Sequence, residues 1–289
     1  MISDAGLNAA LGGVLGLLIG SFLNVVIHRL PRMMEQEWNA EALQWVEEQK
    51  EKGAKVTLPP AADPISLSKP RSRCPYCGHQ ISWYENIPVI SYLFLRGRCA
   101  ECKKPISLRY PLVEIVCAAL FAFCLGKYGL TPTGFAWCGF SAALLCLALI
   151  DWDTTFLPDS ITLPLLWGGL IASALQWTSV PLPQSLWGAV AGYLSLWLIY
   201  WAFKLATGKE GMGYGDFKLF AALGAWFGWQ ALIPIILMAS VVGAVIGIAL
   251  KVNSKLREGG YVPFGPFLAG GGFVSLLWGH QAVLNAIGL

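Results

Sequence analysis

Apolar residues gather into eight runs along the chain, at about residues 8–29, 111–128, 133–150, 160–178, 185–206, 217–230, 231–250 and 264–286. Several approach the roughly 20 residues that a helix needs to cross about 30 Å of hydrocarbon. The run 217–250 is split around Gly228, Trp229 and Gln230; left whole, it would give seven spans. Placing the charges favours the split. With eight spans, the loops 30–110, 151–159, 205–216 and 251–260 share one face and hold nearly every Lys and Arg, while the other face keeps little more than Lys127. That asymmetry marks the basic face as cytoplasmic. Seven spans would send Lys251, Lys255 and Arg257 to the opposite side.

Composition agrees with the pattern. The 289 residues are 56% hydrophobic and 13% charged, with a mean hydropathy of +0.58, which excludes an ordinary soluble domain. Thirteen tryptophans suit two lipid–water interfaces. The first run is read as a retained helix and not as a secretory signal. Asp4 stands where a basic leader would be, no A-x-A-like site follows, and the run ends in His28, Arg29 and Arg32. The sequence therefore predicts an all-α polytopic membrane protein of about eight transmembrane helices with a small zinc-binding cytoplasmic domain. Residues 1–29 form the first span, 30–110 the cytoplasmic domain and 111–289 a seven-helix membrane region.

In the polar insertion, residues 35–52 predict an amphipathic helix with Trp38, Ala42, Trp45 and Val46 on one face, and LPPAADP (58–64) breaks it. CPYCGHQ and CAEC then place Cys74, Cys77, Cys99 and Cys102 in a C-x2-C…C-x2-C arrangement. Two such knuckles supply four thiolates for a tetrahedral zinc, although the spacer between them is slightly long. Two disulfides are the alternative, which a reducing cytoplasm disfavours. Four cysteines leave no open position, so the zinc is structural, and His79 is read as a surface residue. Cys117, Cys124, Cys138 and Cys146 fall in apolar runs as inert thiols.

Two acids flank the membrane runs. Asp151 lies just past the third run, with Asp153 two residues on as a solvated loop acid, and Asp159 resembles a helix N-cap with Ser160 and Thr162 beside it. Asp216 follows Gly211, Gly213 and Gly215 at the mouth of the sixth run. On the eight-span topology Asp151 and Asp216 share one face. Two carboxylates in a dry but water-accessible site share one proton, so one can activate water while the other hydrogen-bonds a scissile carbonyl. The glycines would let a substrate strand approach. Alternatively Asp216 merely caps a helix.

The chain resembles the type IV prepilin peptidases, bacterial membrane aspartyl proteases of the G-x-G-D class. The likeness rests on GSFLNVVIHRLP (20–31), the paired C-x2-C motifs, NIPVISYLFLRGRC (86–99), RYPLVE (109–114), IDWDTTFLPD (150–159), GYGDFK (213–218) and PFGPFL (263–268). It implies that Asp151 and Asp216 are the catalytic pair, with Asp153 the runner-up. It further implies cleavage of type IV prepilins and type II secretion pseudopilins after a glycine, at the cytoplasmic face of the inner membrane. Many members then methylate the new N-terminus with S-adenosylmethionine, for which Gly97 in RGRC is a candidate contact; its other reading is a turn into the second knuckle. Membrane lipid is an expected partner and nucleic acid is not.

Several other residues carry expectations. Asn24 should hydrogen-bond a neighbouring helix, Glu114 should pair locally with Arg109, Lys218 either tunes the aspartates or snorkels to the interface, and PFGPFL should shape a cleft. A proton-coupled transporter would also use intramembrane acids, and a non-catalytic pilus assembly factor would need the cysteine loop without the aspartates.

Overall fold

A computed structural model describes residues 4–51, 65–253, 262–279 and 285. The predicted linker 58–64, Lys255, Arg257 and most of the chain beyond Gly279 lie outside them. Among the described residues there are nine α-helices and no strand: α1 Asp4–Glu51, α2 Ile90–Phe94, α3 Arg109–Tyr128, α4 Pro132–Thr154, α5 Asp159–Ala174, α6 Leu182–Thr207, α7 Tyr214–Phe227, α8 Leu232–Val252 and α9 Gly265–Trp278. Contacts divide the chain into two units, one of residues 1–16 and 117–289, the other of residues 17–116.

Among the described residues five segments are long and apolar enough to cross a membrane: Asp4–Val46, Arg109–Tyr128, Pro132–Thr154, Leu182–Thr207 and Trp229–Val252. The remaining apolar helices are shorter, with 16 residues in α5 and 14 each in α7 and α9. At 1.5 Å per residue a 14-residue helix reaches about 21 Å. The break expected near residue 228 is present. Gly228 ends α7 with φ +79°, a left-handed conformation that glycine tolerates, and a 3₁₀ turn Trp229–Ala231 leads into α8. The break expected near residue 30 is not. Helix α1 continues through Pro31 to Glu51 and absorbs the predicted amphipathic helix, whose Trp38 and Trp45 stay exposed. Arg29 Nη1 donates to the Ser66 carbonyl at 2.9 Å, and the Ile65 N–H donates to Gln36 Oε1 at 3.0 Å.

The large unit is built around α7. From Asp216 to Phe227 every residue but Lys218 is buried. Helix α6 lies against it with backbone nearly touching: a Cβ on Gly192 would fall 2.6 Å from the Phe220 carbonyl oxygen, and Gly188 meets Gly224 directly. Ser185 Oγ donates to the Ala225 carbonyl at 2.6 Å across the same contact. On another side, Trp226 Nε1 donates to the Leu165 carbonyl of α5 at 2.8 Å, and Gly169 makes room for its ring. Trp137 and Phe140 of α4 pack against Trp226 at tilted angles, with ring centroids 5.0 and 4.9 Å from its own. Gly272 of α9 admits the Leu223 side chain. Helices α1 and α3 meet in the same way, Gly12 and Gly16 facing Phe121 and Ala118. Lipid tails are as apolar as leucine, so helix association in a bilayer depends on such small-residue packing.

Gly192→Leu should therefore push α6 off α7 at a cost of about 1–3 kcal/mol. Thermal unfolding in detergent should show a lower midpoint, whereas Gly139→Leu, with nothing within 4 Å of its Cβ position, should leave it unchanged.

Candidate active site and metal centre

Asp151 sits inside α4, three residues before its end, and not past the helix as its position beside a polar segment predicts. Helix α4 closes at Thr155, which adopts a left-handed φ of 58° and donates its N–H to the Asp151 carbonyl at 2.8 Å. The Asp151 side chain is buried, at 4% exposure, and its Oδ2 accepts the backbone N–H of Gly265 at 2.9 Å. Gly265 is the first residue of α9, so a helix N-terminus points its partial positive charge at the carboxylate. A Cβ on Gly265 would lie 2.6 Å from Asp151 Oδ2; only glycine lets the backbone come this close.

Asp216 occupies the first turn of α7, whose N-cap is Gly213. Its N–H donates to the Gly213 carbonyl at 3.2 Å. The side chain is 7% exposed, and Oδ1 is buried with no hydrogen-bond partner among the described residues. A buried acceptor left in that state is costly and belongs at a place where something else must bind. The two acids are neighbours, for the charge of Asp151 acts on Asp216. Leu157 joins their surroundings. Its Cβ lies 2.7 Å from where a Cβ on Gly215 would be, and its Cδ1 lies 3.3 Å from the same point on Gly265.

The other acids stand apart from this centre. Asp153 is exposed in the last turn of α4. Asp159 does not cap α5; Pro158 holds the N-cap position and Asp159 is the first helical residue. Its carboxylate instead takes Lys218 Nζ at 2.7 and 2.6 Å, so Lys218 spends its charge on Asp159. The sequence does not reveal Gly265 as a partner of Asp151. Pro266 in the first turn of α9 announces a helix start, but nothing local says that the start faces a residue 114 positions away.

In the smaller unit the four cysteine Sγ atoms lie within 4.8 Å of one another. Cys74 and Cys102 are 3.8 Å apart, and Cys77 and Cys99 are 3.9 Å apart. A tetrahedron with Zn–S bonds of about 2.3 Å has edges of about 3.8 Å, so the cluster fits the ion. The two knuckles repeat one design. Cys74 accepts the N–H of Gly78 and Cys99 that of Lys103, each from a left-handed residue following the second cysteine. Backbone N–H groups of Cys77 and Tyr76 bring the Cys74 thiol down to about 6. Cys77 feels the His79 N–H in the same sense, yet burial and the adjacent thiols push it up to about 12. Four thiols this close cannot all ionise without a cation among them.

His79 is occupied elsewhere. Its Nε2 meets Glu85 at 3.1 Å and its Nδ1 meets Glu101 at 3.0 Å, and these carboxylates, Glu85 first, raise its pKa. Asn24 Nδ2 donates to the Tyr110 carbonyl of α3 at 3.1 Å, the expected hydrogen bond to a neighbouring helix. Glu114 accepts the Val89 N–H at 2.8 Å, a partner outside the local pairing that its sequence neighbours predict. Gly97, with φ +66°, turns the chain toward the second knuckle and lies under the Tyr92 hydroxyl.

Comparison with known proteins places the chain in a family. Residues 14–128 match the bacterial peptidase A24 N-terminal domain and residues 138–248 match the type IV leader peptidase family. The chain is 52% identical to the prepilin leader peptidase/N-methyltransferase of Stutzerimonas stutzeri, over 93% of this chain and 90% of that protein. It is 49% identical to the protein of that name from Pseudomonas aeruginosa, over 93% and 89%, and 51% identical to the one from Aeromonas hydrophila, over 92% and 89%. No solved structure matches the chain significantly.

Replacing Cys99, the most buried of the four, by Ser should lower bound zinc from one equivalent to near none, measured by elemental analysis of purified protein. Full zinc retention in Cys99→Ser would mean that the four thiols do not act as one site.

Proposed function

This chain belongs to the type IV leader peptidase family, and on that premise we propose that it is a membrane aspartic endopeptidase that removes prepilin leaders and then N-methylates the new terminus. The observation that carries the proteolytic half is the unequal environment of two adjoining buried acids. Asp151 accepts the Gly265 N–H at the head of α9, while Asp216 Oδ1 has no partner among the described residues. Of one negative charge and one proton shared by the pair, the charge belongs on Asp151, where the N–H and the helix terminus stabilise it. The proton belongs on Asp216, whose buried oxygen then becomes a donor.

Asp151 takes a proton from the attacking water as it adds to the scissile carbonyl, and Asp216 hydrogen-bonds the carbonyl oxygen and stabilises the charge that develops there. Collapse of the tetrahedral adduct breaks the C–N bond, with the proton passed to the leaving amine. Gly213 keeps the side of Asp216 that it faces free of a side chain, and Gly215 makes room for Leu157. Lys218, held by Asp159, fixes the first turn of α7 from outside the pair.

The substrates are prepilins and type II secretion pseudopilins cut after a glycine. The protein is multi-pass in the bacterial inner membrane, with eight spans and the active site and cysteine loop on the cytoplasmic side. The five described helices of spanning length support the multi-pass reading and the distribution of Lys and Arg among the loops supports the orientation, while eight spans would need the shorter α5, α7 and α9 as well. Zinc, when bound to Cys74, Cys77, Cys99 and Cys102, would cross-link the two knuckles and leave no open coordination position. Methyl transfer rests on the relatives' name. S-adenosylmethionine would supply the methyl group to the new amine, with Gly97 the candidate contact. A transporter or a non-catalytic assembly factor is not favoured, because the matched relatives are peptidases.

In membranes containing a prepilin, Asp151→Asn and Asp216→Asn should each slow leader removal by roughly 10²–10⁴-fold. N-terminal mass with S-adenosylmethionine present should show an added methyl on wild-type product only. Cleavage at the wild-type rate by either variant would remove that acid from the mechanism. Gly265→Ala, which crowds Asp151 Oδ2, should lower turnover by up to about 10²-fold with zinc content unchanged.

A further inference from the structure

Between the two cysteine knuckles, residues 83–98 expose five large apolar side chains close together in the sequence, a concentration that calls for a covering surface. Trp83 and Tyr84, in a 3₁₀ turn, are 77% and 57% exposed, and Ile90, Leu93 and Phe94 of α2 are 50%, 68% and 84% exposed. Two observations indicate what covers them.

The first is depth. Val89, the residue that opens α2, donates its N–H to Glu114 Oε2 at 2.8 Å. Glu114 is the sixth residue of α3, one of the helices long and apolar enough to cross a membrane. Five residues at 1.5 Å each place it about 7–8 Å along that helix. Helix α2 therefore begins beside the entry of a span, at a level where α3 itself exposes Leu112 and Ile115.

The second is chemistry. Exposed Arg96 and Arg98 follow α2 at once, and exposed Lys103 and Lys104 follow in the second knuckle. Aromatic and aliphatic side chains bordered by cations match the boundary between acyl chains and anionic headgroups.

We propose that residues 83–94 form an interfacial anchor whose partner is the bilayer itself, with Leu93 and Phe94 inserted at the acyl boundary and Arg96 and Arg98 facing lipid phosphates. The segment that joins the two cysteine pairs is thereby fixed to the membrane surface, independently of whether the aspartate pair cleaves prepilins.

A photoactivatable diazirine residue in place of Phe94, and separately of Leu93, tests this in full-length protein reconstituted into phosphatidylethanolamine–phosphatidylglycerol vesicles. Val245, 62% exposed on the candidate span α8, serves as the lipid-facing reference. Phospholipid adducts at 94 and 93 in yield comparable with 245 carry the proposal. Cross-links to peptides of this chain or of another protein, or hydrolysed diazirine without lipid adduct while 245 gives one, overturn it.

Discussion

The backbone contact between α6 and α7 is the constraint on which the rest of the large unit depends. In a bilayer no water is released when two apolar helices meet, so attraction has to come from close approach. Gly188, Gly192 and Gly224 permit it, and the Ser185 hydroxyl closes on the Ala225 carbonyl where the helices touch. With α4, α5 and α9 packed around the remaining sides, α7 has almost no surface of its own. Its first turn is consequently held where Asp216 is buried although it lies only two residues from the start of the helix.

That rigidity makes electrostatic asymmetry possible. Asp151 and Asp216 are chemically identical groups, distinguished only by what lies around them. One is placed at the head of α9 and the other at the first turn of α7, yet only the first accepts an N–H from outside its own helix in the bonds described above. Lys218, the cation nearest to Asp216 in sequence, is drawn off by Asp159. An exposed pair of this kind contributes little stability by itself. Its effect is to keep a strong charge from overriding the smaller difference between the two acids.

Much of this was legible in the sequence where the signal was local. The C-x2-C pairs predict a four-thiol cluster because each pair is one tight turn, and the placement of Lys and Arg predicts the α7–α8 break, where Gly228 takes a left-handed φ. The acids of IDWDTTFLPD and GYGDFK stood out as candidates by their places beside apolar runs, and the family resemblance, not spacing alone, singled out Asp151 and Asp216. Signals that depend on distant partners were not. Asp151 reads as lying beyond its helix because Trp152 and Asp153 look like loop residues, but α4 extends to Thr154. Asp159 reads as an N-cap because its neighbours are Ser160 and Thr162; Lys218, 59 positions away, claims it. The first span was expected to end at residue 29, but its helix continues through Pro31 to Glu51.

Leu157 occupies an unusual place in this arrangement. One side chain, in the short link between α4 and α5, touches the positions where Gly215 and Gly265 would otherwise carry a Cβ. Three stretches far apart in the sequence thus share a single joint. Residues in such contact respond to change as a group, and the effects of altering them do not add. A bulkier side chain at 157 would press on both glycine-bearing segments at once, whereas a smaller one would free space at Gly215 but not at Gly265, which Asp151 Oδ2 still crowds.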